Sequence, residues 1–492
     1  MLRIRDVVRA RRSVRSKASA TAVTATVAAA LLAIGPAHAS DRAPQISWLT
    51  YGFDAQRTGY NPSESTLGTG NAASLHQIWS VDLGDVMIAQ PVEAAQVNVA
   101  GQPRNVIYEG TEHGDVYALR GADGHVIWHT NLGSVQTNCF DMPDGVFGVG
   151  GAGAISFTGP GTGVIYVAGG DGSVHALDLA TGAEQSGWPV TEVFTPSRDH
   201  VYSGINLLGG KLYVTVASHC DHAPYFGDTV EIDVATHAIV RRFYPAGPPA
   251  NGVSGGGIWG PGGVSIDPSN GHVFVATGNA LTTPESYRYS EDVVELSRSL
   301  TVLGSYHPGL TGFDVDFGAT PILYRPSGCS TLQVVAKNKS GVLVRYDEGT
   351  LNSGYQQRIQ VASVSDYQFN GIPAWDSATN TLYIGNSSDS SGGTYEHGMV
   401  ALKAAADCSL SLAWQATVGP NFSSVSPPTV ANGVVYYGDG YGNTEHAFDA
   451  ANGTELWNSG TSIGGGLYAP PTAVNGKLLV ASWDHRLYEF GP

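Results

Sequence analysis

The apolar positions fall in short runs of Val, Ile, Tyr and Ala separated by turns rich in Gly, Asn and Asp, a rhythm of strands and tight turns rather than of helices. Residues 434–457, VVYYGDGYGNTEHAFDAANGTELW, show it in full. A β-rich run meets a Gly-rich turn, a second strand ends in Ala447-Phe448-Asp449, and a third leads to Trp457. The same sentence is spelled at 106–128, VIYEGTEHGDVYALRGADGHVIW, and at 164–182, VIYVAGGDGSVHALDLATG. Twice a Trp follows a turn Gly by four residues, Gly124 to Trp128 and Gly453 to Trp457. Such a unit cannot bury its apolar face alone, so its recurrence predicts sheets stacked around an axis. The expected fold is all-β, a β-propeller.

Units are expected around 106–133, 163–190, 210–244, 271–306, 331–361, 380–419 and 433–460. A lone strand at 75–84, LHQIWSVDLG, finds its natural partner in the incomplete final unit at 476–491, GKLLVASWDHRLYEFG. Joining them gives eight blades, with 75–492 as a single propeller whose ring is closed by strands from both termini. Reading the degenerate 271–306 and 331–361 units otherwise would lower the count to seven. The 492 residues alone suggest several domains, but a propeller grows blade by blade as one unit, here at roughly 50 residues per blade. Residues 40–74 lack period-2 alternation and are expected to form an extended N-terminal strap. Long polar loops at 134–162, 191–208, 217–228, 245–264, 280–291, 307–320 and 362–374 mark one face as the binding surface.

Residues 1–39 have the form of a signal peptide. Seven basic residues precede an apolar run near 20–34, and Ala37-His38-Ala39 offers a cleavage site. The run is short and Ala/Thr-rich for a spanning helix, so no membrane span is expected after its removal. The Arg11-Arg12 pair leaves the export route open. Without this leader 18 basic and 41 acidic side chains remain, a net of about −23. Such a charge repels phosphate backbones and argues against nucleic acid as a partner. The expected location is secreted or periplasmic. In an oxidising compartment four cysteines favour two disulfides, Cys139–Cys220 and Cys329–Cys408, over free buried thiols. No C-x-x-C-H, H-E-x-x-H or P-loop is present.

The ALD-x-(A/T)-x-G-x-x-x-W sentence resembles the tryptophan-docking repeat of the quinoprotein propellers, the pyrroloquinoline quinone (PQQ) dependent alcohol dehydrogenases. A similar repeat occurs in the outer-membrane barrel-assembly lipoprotein, a scaffold without a cofactor. Three further segments are similar, in order and spacing, to polyvinyl alcohol dehydrogenase and its quinoprotein relatives. They are 255–279, GGGIWGPGGVSIDPSNGHVFVATGN; 312–321, GFDVDFGATP; and 337–347, KNKSGVLVRYD. The resemblance implies that Trp259 lies under the quinone, that Asn279 is a calcium ligand, that Asp314 or else Asp316 is the catalytic base, and that Lys339 is a cation facing the quinone. The chemistry is coherent: a planar tricarboxylate needs an aromatic floor and cations, calcium takes an amide oxygen, and a carboxylate can remove a hydroxyl proton. Plain structural readings stand beside these: an inter-blade Trp, a left-handed Asn turn, solvent-facing carboxylates, a charged hairpin tip.

The chain departs from the enzyme pattern in two places. It has no adjacent Cys-Cys pair, and where those enzymes place a Glu ligand it carries 218–233, SHCDHAPYFGDTVEID, with Asp221 or His222 near the expected place and Asp221 the candidate metal ligand. His219, Cys220, Asp221 and His222 are too close in sequence to share one transition-metal ion readily. Two functions are therefore expected in competition. One is PQQ- and calcium-dependent oxidation of a small-molecule or polymeric alcohol, with a separate electron acceptor. The other is a non-catalytic scaffold that binds protein or glycan.

Overall fold

The computed structural model describes residues 45–139, 142–310, 312, 314–366 and 371–492. The leader expected at 1–39 lies outside them. β-Branched and aromatic residues in runs too short for a stable helix form strands throughout, and the described helices are three single 3₁₀ turns.

The strands build eight antiparallel meanders, each running from an inner to an outer strand. The inner strands, in ring order, are Val92–Val99, Ala154–Gly159, Asn206–Leu208, Ser265–Ile266, Ile322–Tyr324, Ala374–Asp376, Thr429–Ala431 and Thr472–Val474; they define blades 1 to 8. The units expected at 271–306 and 331–361 are four-stranded blades, 4 and 5, so the count is eight. Blade 8 takes its outer strand, His76–Asp82, from the start of the ring, paired antiparallel with Arg486–Gly491 from its end. The closed ring leaves no open sheet edge at this seam. Blade 2 differs. Three of its strands are regular, and single bridges from Val174 to Val190 and from Leu177 to Glu184 stand in place of a fourth.

The repeated Gly and Trp belong to different blades. Trp128 of blade 1 donates through Nε1 to the carbonyl of Leu179 in blade 2 at 3.0 Å, and Tyr108 donates to the same oxygen at 2.8 Å. Trp414 and Tyr383 of blade 6 treat Ala450 of blade 7 alike, at 3.0 and 2.9 Å. The indole lies on the turn glycine, Gly182 or Gly453. Each pair buries a large flat ring between blades and gives its N–H a partner.

Residues 48–61 thread along the inner strands of all eight blades. Trp48 exchanges backbone hydrogen bonds with Glu93 of blade 1, and Leu49 O accepts from Ile155 of blade 2. Thr50 Oγ1 donates to Ile205 O beside the inner strand of blade 3. The carbonyls of Ala55, Gln56, Thr58 and Gly59 accept from Ile266, Leu323, Trp375 and Val430 in blades 4 to 7, and Asn61 Nδ2 reaches Ala473 O in blade 8. Leu323, Trp375, Val430 and Ala473 pair with Val334, Leu382, Val435 and Leu478, each the second residue of the adjoining strand. The segment therefore closes the hairpin end of the axis.

Both expected disulfides form. Cys329–Cys408 joins hairpins of the neighbouring blades 5 and 6. Cys139–Cys220 joins the blade 1–2 connection to blade 3, so it reaches past blade 2 instead of linking successive blades. Among the described residues no helix is long and apolar enough to cross a membrane.

Candidate functional site

In an up-and-down sheet the turn between second and third strands and the connection to the next blade leave from the same end. This topology gathers the candidate residues on one face. Asp221 lies on the second turn of blade 3, Trp259 on the blade 3–4 connection, Asn279 on the second turn of blade 4, Asp314 and Asp316 on the blade 4–5 connection, and Lys339 on the second turn of blade 5. The face lies opposite the closed end of the axis.

Lys339 is the hub. Its Nζ lies 2.6 Å from Asp314 Oδ1 and 2.8 Å from Asp316 Oδ1. Its backbone N–H donates to Asp316 O at 3.0 Å. Burial works to lower the Lys339 ammonium, but Asp316 and Asp314 outweigh it and the net shift is upward. Asp316 is enclosed, and burial raises its carboxyl against the pull of Lys339. The Asp314 side chain is 34% exposed, and its backbone is left-handed with φ 54°. The two aspartates thus differ: one is accessible, the other sealed.

Asn279 is buried, and its Oδ1 receives no hydrogen bond. Its neighbour Gly278 is tightly held, since a Cβ there would lie 2.6 Å from Trp259 Nε1 and 2.8 Å from Asp316 Oδ2. Only glycine lets the indole and the carboxylate approach so closely. Trp259 is 7% exposed, with Tyr202 and Tyr225 rings at 5.7 and 6.2 Å. Asp221 accepts a hydrogen bond from the Tyr225 hydroxyl. Burial pushes its carboxyl up to about 6, with Asp316 adding to the rise and Tyr225 opposing it.

Two participants carry no sequence motif. Tyr225 is fully buried between Asp221 and Trp259. Glu291 closes the blade 4 turn by donating its N–H to Gly278 O at 3.1 Å, and burial together with Asp316 pushes its carboxyl up to about 7. The only sequence signal for either was a place in a long polar loop. The Cys139–Cys220 bridge packs beside Tyr202, one ring away from Trp259.

Asp314 and Asp316 thus pair with one ammonium, Asp221 and Glu291 feel the charge of Asp316, and the amide oxygen of Asn279 is unpaired. An oxygen-rich set short of positive charge fits a hard divalent cation such as calcium. For a planar quinone, Trp259 offers an aromatic ring and Lys339 a charge, both close-packed.

The family described as glucose/ethanol/alcohol dehydrogenase, β-propeller domain, matches residues 48–195. No curated protein matches the sequence. Among solved structures, the chain is similar to the quinohemoprotein alcohol dehydrogenase of Comamonas testosteroni, with TM-score 0.65 and 17% identity over 92% of this chain and 82% of that one. A europium-containing methanol dehydrogenase is similar at TM-score 0.64 and 15% identity, over 91% and 98% of the two chains. BamB of Moraxella catarrhalis is similar at 0.54 and 16%, over 85% and 100%. At these identities the structural likeness is one of fold. With the family match over residues 48–195 and eight sheets docked in this manner, the chain has the fold of the PQQ-like β-propellers.

Proposed function

We propose that the chain is an exported oxidoreductase that uses PQQ and calcium to oxidise an alcohol group. The observation that carries this reading is the enclosed, unpaired Oδ1 of Asn279 beside Asp316, which with Asp314 pairs with the Lys339 ammonium. Asn279, Asp316 and Asp221 would hold the calcium, and Trp259 and Lys339 the quinone. When bound, the quinone would supply the hydride acceptor and the calcium a Lewis acid.

The chain's own residues supply the proton chemistry. Asp314 is the accessible carboxylate and takes the hydroxyl proton as hydride leaves carbon. Lys339, 2.6 Å away, orients it. Asp316 is sealed from solvent and acts by position, fixing Lys339 through its carboxylate. The electrons pass to a separate acceptor, since the chain has no C-x-x-C-H haem site. The leader and the two disulfides support an oxidising destination, secreted or periplasmic. The competing reading is a scaffold for protein or glycan. The missing adjacent-cysteine pair and the replaced Glu favour it.

The test titrates calcium and then PQQ into the purified protein, following heat, tryptophan fluorescence and dye-linked alcohol oxidation. Calcium-dependent quenching is expected, and Asn279→Ala should weaken calcium binding at least about tenfold. Asp314→Asn should keep PQQ affinity within about twofold and lower turnover by at least about 100-fold. Undiminished turnover would remove Asp314 from its role. No quenching with PQQ on the order of tens of micromolar would leave the scaffold reading standing.

A further inference from the structure

A groove of about 700 Å³ opens on the same face between blades 2 and 3, away from the axial cluster. One wall is the blade 2–3 connection, which carries Pro196, Arg198 and Asp199. The other comprises Phe226 and Asp228 on blade 3 and, at the end of its outer strand, Arg242 and Tyr244. The groove shares no side chain with the axial cluster. Phe226 lies beyond the turn that presents Asp221 and Tyr225 to the axis.

Its electrostatics exclude anionic ligands. Asp171, Glu192, Asp199 and Asp228 line it against two arginines. Both arginines are committed. Arg242 donates to Asp228 Oδ2 at 2.6 Å and to Glu192 O at 2.7 Å. Arg198 donates to Asp199 Oδ2 at 3.1 Å and lies 5.3 Å over the Phe226 ring. A phosphate or carboxylate would find excess negative charge and no free cation.

Asp199 and Asp228 are 4% and 1% exposed, and the Oδ1 of each receives no hydrogen bond of normal geometry. Burial pushes the Asp228 carboxyl up to about 7 despite Arg242, the mark of an acceptor short of solvation. An enclosed acceptor left unpaired is unfavourable, so a ligand that brings hydroxyl donors is favoured there. The half-exposed Phe226 and Tyr244 rings and the flat Pro196 offer surface for the C–H faces of a ring.

We infer that this groove is a binding site for a neutral oligosaccharide, with Asp199 and Asp228 accepting from ring hydroxyls and Phe226 and Tyr244 packing on sugar faces. The site is independent of the redox reading and holds whether or not the axial cluster takes a quinone.

Calorimetric titration with neutral malto-, cello- and xylohexaose, and with anionic hexagalacturonate, tests it. At least one neutral hexamer should bind with Kd between about 10 μM and 1 mM, and hexagalacturonate at least about tenfold more weakly. Phe226→Ala should weaken the neutral ligand at least about tenfold. Thr195→Trp fills the groove from an exposed position, removes no core contact, and should do the same. Asp314→Asn, in the axial cluster, should leave the affinity unchanged. Absence of binding by every neutral hexamer at about 10 mM would overturn the assignment. So would unchanged affinity in Thr195→Trp, or equal affinity for hexagalacturonate.

Discussion

Gly453 holds φ at +76°, and a Cβ placed there would lie 2.4 Å from Cε3 of Trp414 in the preceding blade. The same contact recurs between Gly182 and Trp128, at 2.6 Å. Gly453→Ala meets both the ring and an unfavourable φ, and is expected to cost about 2–4 kcal/mol. Trp414→Phe loses the hydrogen bond to Ala450 O and should cost about 1–2 kcal/mol. Because the two act on one contact, urea unfolding of the double variant should fall short of their sum; strict additivity would break the coupling. Sequence spacing set Trp128 and Trp457 four residues after a Gly of their own blade, and the pairing across blades was invisible because Gly and Trp recur together within one copy. At the site, Asp314, Asp316 and Lys339 were singled out because they sit in short motifs. Glu291 and Tyr225 were not, because their loops carry no spacing rule and only three-dimensional closure brings them to Asp316 and Asp221.

Blade 2 shows how an element survives without a full ladder. Glu184 lies on the irregular outer segment, accepts Ala176 N–H at 2.8 Å, and holds His175 Nδ1 at 2.6 Å. His175 Nε2 lies 3.3 Å from Asp171 on the other side. Side chains thus replace part of the missing backbone pairing. Burial works to lower the His175 imidazole, but Asp171 and Glu184 prevail and lift it to about 9. A His raised above its unfolded value of about 6.5 stabilises the fold fully below that pH and loses the contribution as pH rises through 9. Both carboxylates are partly exposed, so the amount is set at about 1–3 kcal/mol. The stability gap between the native chain and His175→Asn should therefore shrink by that much from pH 6.5 to 9.5, measured by urea titration; a constant gap would deny the coupling. Blade count and ring closure were legible because each three-strand sentence repeats and the two odd strands lie at opposite ends. The outer strand of blade 2 was not, since 184–190 lacks the alternation that a ladder imposes.

The ring as a whole depends on a segment that belongs to no blade. Residues 48–61 touch the inner strands of all eight blades, and Arg57 fixes their path from within. Its guanidinium is 1% exposed and donates to Gly262 O, Val264 O, Thr50 Oγ1, Tyr51 O and Gly204 O. Burial pulls it down to about 10, with Asp54 and Tyr51 opposing, so it stays charged at neutral pH. Sequence showed an aromatic-dotted segment without period, which identifies a non-strand but not a route along the axis. Arg57→Met keeps much of the volume and leaves those carbonyls unpaired, at an expected cost of about 3–5 kcal/mol. Since the strap bonds every blade, its loosening should weaken the ring as one body. Thermal unfolding of Arg57→Met should remain a single transition at lower temperature, coincident by tryptophan fluorescence and far-ultraviolet circular dichroism. Proteolysis within 48–61 well below that transition, with the propeller still folded, would show instead that the strap detaches alone and that the blades hold themselves together without it.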